Sequence, residues 1–507
     1  MYTTWVPEKV KTKMALRVRP LLRDVSGLLL LALAGLLIAG YHPGCEDDGV
    51  YLAAIKHDLA PALYPHDADF FVLQSQATVY DKAVARLIHL TGIPTGALIL
   101  ALHVLTIFLI LWGCLRIARR GFPGEAGAQW FGVSLVAVLL TLPVAGTALY
   151  LVDQNLHPRA IATAAILAAI VAVVDKKRIL AGAFLVLAVV FHPMMACYGI
   201  SLCLFLAWKP APGPIPEPVA MGLAPLGWIF EPTSKAWHVA ANTRGYFFLS
   251  RWEWYEWLGV FGPVVILWWF RRMALHGRNA VTARLSTRLI LYGVFQFGVA
   301  IVLLNIPGLE RWRSFQPMRF LHLVYLMMVL LAGGFLGQYL QRTGRWRPFA
   351  LILPLAAVMF LAQRQTYAAS QHLELPGIPP SNPWVQAFDW IRQNTPVNGF
   401  FAAGASYMSR PGEDFHSFRA LAERSILADI TKDAPVATQV PRLAPLWLDQ
   451  VEAQSGWEHF TRADFERLHA KFGVDWLLLE KPAQAAAILD CPYENDALRV
   501  CRIGGNY

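Results

Sequence analysis

The stretch HPGCEDDGVY, residues 42–51, follows an apolar run from Leu28 to Gly40 that is long enough to be a first membrane crossing. It contains three consecutive carboxylates, Glu46, Asp47 and Asp48. A charged side chain at the centre of a bilayer costs about 2.5–3.5 kcal/mol on insertion scales, so the triplet should lie at or just outside the interface. Three adjacent negative charges repel one another. The group must therefore attract a cation, keep a proton or face open water.

The triplet has two interpretations that the sequence alone leaves open. It can be a solvated loop that caps a helix starting near Val50. It can also be an acid–base cluster with Glu46, Asp47 and Asp48 as catalytic candidates. Asp47 is favoured, because Glu46 is long and close to the flexible Pro43-Gly44 turn and Asp48 can be engaged in capping. Its neighbours' charges should raise the pKa of Asp47, unless a metal or an arginine takes up the negative charge.

The composition indicates a polytopic α-helical membrane protein. Of 507 residues, 56% are hydrophobic and 15% are charged, whereas soluble domains have about 25% charged residues. The net charge of +10 does not indicate a nucleic-acid partner, because Lys and Arg cluster beside apolar runs, as the positive-inside rule predicts. Residues 1–24 form a basic leader expected in the cytosol. The expected location is a bacterial plasma (inner) membrane, in contact with membrane lipids.

Apolar runs predict about eleven transmembrane helices within residues 25–365. The predicted spans are 25–41, 95–115, 129–150, 160–174, 179–191, 194–208, 219–230, 255–270, 289–304, 320–340 and 348–363. The seventh is rich in Pro and Gly. It is predicted only because the basic clusters on either side of it, which belong in the cytosol, require one more crossing. An irregular crossing of this kind is tolerated only when it is buried in protein.

The long first outer loop, residues 42–94, contains a predicted interfacial helix over 78–90. Val79, Ala83, Leu87 and Leu90 recur there at helical spacing, with charged residues on the other side. Such a helix lies in the interface rather than crossing it.

The predicted outer loops carry side chains suited to a substrate site. The substrate-binding candidates are His66, Asp67, His157, His192, Arg244, Arg251 and Trp252. The lipid-phosphate candidates are Arg311, Arg313 and Arg319, since Arg favours bidentate phosphate contacts. Simpler explanations remain: arginines snorkel to headgroups, tryptophans form interfacial belts, and His-Pro pairs end spans. The histidines and carboxylates do not follow a spaced metal motif, so no metal ligand set is assigned. A divalent metal at the Glu46/Asp47/Asp48 triplet stays an open alternative.

Residues 370–507 have the composition of a small soluble α/β domain, expected outside the cytosol. Helices are predicted over 383–394 and 463–472, and strands over 399–403, 474–479 and 498–503. No dinucleotide-binding, P-loop or HExxH motif is present. Cys491 and Cys501 flank a turn-like stretch and are predicted to be close enough to pair.

The acidic cluster, the long first loop and the span pattern together resemble the class C (GT-C) integral-membrane glycosyltransferases. In that superfamily an acidic pair follows the first span, juxtamembrane helices follow it, and many members end in a soluble outer domain. Glu46-Asp47-Asp48, residues 78–90 and residues 370–507 match those features. The triplet departs from a simple acidic pair, which leaves the catalytic position ambiguous.

The resemblance implies transfer of a hexosyl or pentosyl group from a polyprenyl-phosphate-linked sugar donor to an extracytoplasmic acceptor. A first-loop carboxylate would act as general base, and arginines would hold the leaving phosphate. The alternative is a non-catalytic membrane transporter or an assembly subunit for lipid-linked glycans. Transporters bury ionisable residues in spans and contain internal repeats. Neither feature is evident in this sequence, so the enzyme is preferred.

Overall fold

The structure, a computed structural model, describes residues 8–208, 233–344, 346–410, 413–481 and 489–503. The predicted seventh crossing at 219–230 lies outside them. The first quarter of the chain contains helices α1 (Glu8–Ala39), α2 (Asp48–Leu59), α3 (Asp69–Ser75) and α4 (Tyr80–Thr91). Helix α1 is continuous through residue 24, so the basic residues from position 8 onward share one helix with the first apolar run.

The middle of the chain is dominated by apolar helices. They are α5 (Thr95–Gly121), α6 (Ala126–Val138), α7 (Pro158–Val174), α8 (Arg178–Phe191), α9 (Pro193–Ala207), α10 (Lys235–Asn242), α11 (Trp254–His276), α12 (Ala280–Asn305), α13 (Leu321–Thr343) and α14 (Arg347–Thr366). Within the residues that the structure describes, six helical segments are long and apolar enough to cross a membrane, namely Pro20–Ala39, Thr95–Gly121, Trp254–His276, Ala280–Asn305, Glu310–Arg342 and Arg347–Thr366. Helices α6 to α9 are apolar but shorter. The chain is therefore an integral membrane protein, and the count of eleven crossings stays a prediction.

The third predicted span, 129–150, is wrong in its second half. After α6 the chain forms a hairpin of β1 (Pro143–Val144) and β2 (Leu149–Tyr150). Pro143 lacks a backbone N–H and disfavours a helical residue before it. Gly146 has a φ of +64°, a conformation that side chains rarely adopt. An apolar composition alone did not distinguish this hairpin from a helix.

Close helix packing organises the membrane part. A Cβ atom added to Gly333 on α13 would lie 2.6 Å from the Cα atom of Gly132 on α6. Side chains larger than hydrogen would therefore push these helices apart. Small residues permit such close approach between membrane helices.

Helix α4 lies where the interfacial helix was predicted. Its Asp81 is buried against the protein, whereas Leu87 and Leu90 are 36% and 73% exposed. Lys82 and Arg86 are exposed as well, and Val84 and Ile88 are buried, so the outward face carries both apolar and basic side chains.

The C-terminal part contains helices around a five-stranded sheet. The elements are α15 (Pro383–Asn394), β3 (Phe400–Ala402), β4 (Ser409–Arg410), β5 (Glu413–Asp414), α16 (Phe418–Ala422), β6 (Ser425–Ile426), α17 (Asp433–Gln439), α18 (Ala444–Ala453), α19 (Arg462–Phe472), β7 (Trp476–Glu480), β8 (Asp490–Glu494) and β9 (Leu498–Arg502). The sheet order is β6-β3-β7-β9-β8, with β3 parallel to β6 and β7 and the remaining pairs antiparallel. The Cys491–Cys501 disulfide joins β8 to β9 with Cα atoms 3.9 Å apart, as predicted.

Buried polar contacts fasten the first loop to the C-terminal part. Arg419 donates to Asp67 at 2.5 Å and to Asp433 at 2.7 and 2.9 Å, and all three side chains are nearly inaccessible. A second contact joins Glu374 Oε2 to His42 Nδ1 at 3.2 Å and to His416 Nε2 at 2.8 Å. Burial by itself would raise the pKa of Glu374, but the two imidazoles hold it at about 2. Buried carboxylates paired in this way are costly to separate.

Candidate active site

A cavity of about 1060 Å³ lies between the first loop, the hairpin and the C-terminal part. It is lined by carboxylates, cations and rings from segments far apart in sequence. The polar and charged ones include Glu46, Asp47, Tyr51, Asp153, His157, Arg159, His192, Arg244, Tyr246, Glu256, Arg319 and Lys432. Cavities of this size with convergent polar groups are the usual form of a small-molecule site.

A tight turn presents the acidic triplet to this cavity. Gly44 and Glu46 have φ angles of +89° and +52°, and Asp47 immediately precedes α2. The Asp48 carboxylate turns away from the cavity and accepts the Gly44 N–H at 2.8 Å. The three carboxylates therefore do not share one environment.

Asp47 is surrounded by hydrogen-bond donors. Its Oδ2 lies 3.1 Å from His157 Nε2 and 3.8 Å from Arg159 Nη1, and its Oδ1 lies 3.3 Å from Lys432 Nζ. Burial alone would raise the pKa of Asp47, but Lys432, His157 and Arg159 outweigh it and hold the pKa well below its usual value. The pKa of Asp47 therefore does not rise. The exception stated with the expected rise applies, because cations take up the charge.

Hydrogen bonds to the ring nitrogens fix the tautomers of two histidines. His157 Nδ1 accepts the backbone N–H of Arg159 at 3.0 Å, and His192 Nδ1 accepts that of Met195 at 3.2 Å. Each ring begins a helix in this way. The proton of each neutral ring is then on Nε2, and His157 donates it to Asp47.

Asp48 is 3% exposed and does not line the cavity. Burial raises its pKa to about 7, against the hydrogen bonds from Gly44 and Asn155. Asp48 does not cap α2 as the sequence suggested, because its carboxylate accepts the N–H of Gly44, which precedes that helix. Asp48 is therefore better placed to hold the turn than to reach a substrate.

Of the three lipid-phosphate candidates, Arg319 alone lines the cavity. Arg313 donates instead to the Leu304 carbonyl at 3.1 and 3.2 Å and stacks over Phe248. Arg311 is not among the lining residues either. Clustering in sequence did not separate them because the chain forms 3₁₀ turns there (Glu310–Phe315 and Pro317–Phe320), which point successive side chains in different directions.

Three substrate-binding candidates, His157, His192 and Arg244, line the cavity, and the other four do not. His66 stacks on Phe400, and Asp67 is paired with Arg419. Arg251 donates to Asn242, and Trp252 is buried against the hairpin. These four are engaged in packing contacts.

Lys432 is one of the lining residues, with Arg159, that were not named as site candidates from the sequence. It is 7% exposed, and its Nζ lies 3.1 Å from Glu46 Oε2 as well as 3.3 Å from Asp47. It follows Asp47 by 385 positions, and no local pattern marks it.

The surroundings of the triplet do not fit a divalent metal. Such an ion binds carboxylate oxygens, unprotonated ring nitrogens or both. Here Asp48 is turned away, the nearest ring nitrogen carries a proton, and an ammonium group bridges the other two carboxylates. Within the described ranges, no group of three or more His, Cys, Asp or Glu side chains has a metal-binding arrangement.

Comparisons with known proteins find no sequence match and several structures of low overall similarity. No protein-family model matches the chain, and no curated protein matches its sequence. The structure is similar to that of the Archaeoglobus fulgidus oligosaccharyltransferase in complex with Zn and sulfate (12% identity, TM-score 0.40, 90% of this chain and 68% of that chain). It is also similar to the same enzyme tethered to an acceptor peptide (13%, 0.41, 90% and 69%). A third similar structure is the arabinofuranosyltransferase AftD from Mycobacteria (14%, 0.43, 94% and 41%).

These similarities identify no particular protein or substrate for this chain. The chain spans less than half of the arabinofuranosyltransferase. With TM-scores below 0.5, no substrate or reaction is carried over to this chain.

Proposed function

We propose that this protein is a membrane glycosyltransferase that moves a hexosyl or pentosyl group from a polyprenyl-phosphate donor to an acceptor hydroxyl. The supporting observation is that an ionised first-loop carboxylate, Asp47, shares one cavity with two arginines, Arg244 and Arg319, that have no carboxylate partner among the described residues. The proposal places the cavity and the C-terminal part outside the cytosol of a bacterial inner membrane.

The two arginines are suited to a leaving phosphate. The Nε–H groups of Arg244 and Arg319 are buried without a hydrogen-bond partner. Arg244 donates its Nη2 to the Ile430 carbonyl at 2.9 Å, and Arg319 contacts the Met194 sulfur at 3.8 Å. A buried donor without an acceptor is unfavourable. A phosphate oxygen would satisfy both guanidinium groups and bring them a matching charge.

In the proposed reaction the acceptor oxygen attacks the anomeric carbon of the sugar. The bond from that carbon to the phosphate oxygen breaks, and the proton of the acceptor hydroxyl passes to Asp47. A carboxylate with a low pKa is a weak base at the start of the reaction. In an oxocarbenium-like transition state, however, the attacking oxygen becomes strongly acidic as its new bond forms. Arg244 and Arg319 would stabilise the second negative charge that develops on the phosphate.

The test uses purified full-length protein in nanodiscs with a panel of labelled polyprenyl-phosphate sugars. Release of polyprenyl phosphate is measured with and without membrane-derived acceptor. We expect acceptor-dependent release in the wild type and in Asp389→Asn, a surface control outside the cavity, and its loss in Asp47→Asn. If the protein binds or moves labelled donor without releasing polyprenyl phosphate for any sugar, the transporter alternative replaces the enzyme.

A further inference from the structure

The Lys432 side chain occupies the position between two carboxylates where a bridging cation would bind. Its Nζ lies 3.1 Å from Glu46 Oε2 and 3.3 Å from Asp47 Oδ1. It is 7% exposed, whereas the two carboxylates are each 35% exposed. A buried ammonium is costly without such partners, so its charge and theirs stabilise one another.

The backbone around Lys432 is rigidly fixed. Its N–H donates to Asp429 Oδ1 at 2.6 Å, and the Asp429 N–H donates to Asp433 Oδ2 at 2.9 Å. Asp433 is in turn held by the buried Arg419, which also pairs with Asp67 of the first loop. The Asp67–Arg419–Asp433 contact therefore holds the first loop and the Lys432 segment together, independently of the ion pair between Lys432 and the carboxylates.

A glycine at the start of α2 faces Ser417 closely, and the Lys432 side chain lies beside it. A Cβ atom added at Gly49 would lie 2.8 Å from Ser417 Oγ and 3.6 Å from Lys432 Cγ. The lysine stem therefore runs close to the start of α2. The ammonium reaches the acidic turn along a defined path.

The remaining neighbours of Asp47 are also donors. His157 presents a protonated Nε2, and Arg159 lies 3.8 Å away with its Nη2 on Asp153 at 2.7 Å. A metal at this position would meet one ammonium, one guanidinium and one N–H group. Each of them repels a cation or lacks a lone pair for it.

We propose that Lys432 supplies the positive charge at the first-loop carboxylates, and that this site operates without a divalent metal ion. The inference rests on the proposed function for its catalytic meaning, since the lysine would hold Asp47 ionised and oriented while the two arginines bind the donor phosphate. Lys432 is accordingly a positioning residue. The C-terminal part then completes the site instead of being an accessory to it.

The test measures Mn²⁺ binding by electron paramagnetic resonance on EDTA-treated full-length protein in nanodiscs. The variants are Lys432→Ala, the uncharged Lys432→Met of similar length, and Asp47→Asn alone and combined with Lys432→Ala. In the wild type, Asp47→Asn should leave Mn²⁺ binding unchanged, because no Mn²⁺ is held by Asp47. Lys432→Ala should bind Mn²⁺ at least about tenfold tighter than the wild type, because an ammonium a few ångströms from the ion no longer repels it.

The Mn²⁺ bound by Lys432→Ala should be held by the first-loop carboxylates. The tighter Mn²⁺ binding should therefore disappear in the Asp47→Asn/Lys432→Ala double variant. Lys432→Met replaces Lys432→Ala if the smaller side chain prevents folding, as judged by thermal unfolding. An Asp47-dependent Mn²⁺ site in the wild type overturns the proposal, and so does the absence of any gain in both lysine variants. Where transfer is detectable, wild-type transfer should survive EDTA. A protein without transfer activity leaves the Mn²⁺ result standing and refutes the enzyme proposal separately.

Discussion

Replacing Asp48 by Asn tests whether this carboxyl maintains the turn or takes part in chemistry. Asp48 is buried at the base of the acidic turn, and burial raises its pKa from 3.8 to about 7. The amide oxygen of an Asn can still accept the Gly44 N–H. The NH₂ group of the new Asn can donate to Asn155, whose side chain already contacts Asp48. The buried Asn155 Oδ1 has no hydrogen-bond partner among the described residues. The variant should therefore fold.

The size and sign of the effect follow from the pKa difference. The folded state holds the Asp48 proton more tightly than the unfolded chain does. The resulting stabilisation is complete below 3.8 and is lost as the pH rises through about 7. Between about pH 5 and about pH 8, the wild type should lose about 3 kcal/mol of unfolding free energy relative to Asp48→Asn, at about 1.36 kcal/mol per pKa unit.

The assay is equilibrium unfolding of both proteins in mixed micelles at a series of pH values, with the difference taken at each pH. A second readout is glycosyl transfer, which Asp48→Asn should retain within about tenfold, because the residue does not line the cavity. A stability difference that is constant across the series would refute the buried, proton-binding role. A loss of transfer as large as that of Asp47→Asn would refute the separation of the two carboxylates.

Further predictions concern the cavity and the contact of Glu374 with His42 and His416. Asp47→Asn should lower transfer by at least about 10² while donor binding stays nearly intact, as single-turnover and binding assays would reveal. Arg319→Ala should weaken donor binding by about tenfold or more, whereas Arg342→Ala, outside the cavity, should not. Equal effects would reduce Arg319 to a membrane anchor. The stabilisation from Glu374 should be complete above its unfolded pKa of 4.5 and should be lost as the pH falls through about 2. The difference in unfolding free energy between the wild type and Glu374→Gln should therefore become smaller in acid. A difference that does not change with pH would contradict this role.

Local features of the sequence were sufficient for most helices and for the disulfide. Helix α15 begins at Pro383 and ends at Asn394 as predicted, because Asn382 caps it and an apolar stripe continues through it. Cys491 and Cys501 were predictable because a short turn separates them. The error in the span at 129–150 has the opposite cause, since hydropathy does not report the backbone angles that Pro143 and Gly146 impose.

The first-loop carboxylate of the candidate site could be predicted from the sequence, but only some of the other site residues could. Asp47, His157 and Arg319 were named from the sequence because charged side chains beside apolar runs are conspicuous. Lys432 was not, since its partners lie 385 and 386 positions earlier and no periodicity connects them. His66 and Asp67 have equally reactive side chains, but tertiary packing directs them to Phe400 and Arg419. Residue type identifies candidates, and long-range contacts select among them.

The wide separation of Lys432 from Asp47 also orders the events of biosynthesis. A ribosome completes every apolar helix of the described chain before it reaches the turn that carries the lysine. Until then the acidic turn lacks its counter-ion, and Asp67 lacks Arg419. Contacts of such sequence separation form late and slowly. A nascent or prematurely terminated chain is therefore inserted but unfinished at its cavity, and maturation of the site coincides with docking of the tail.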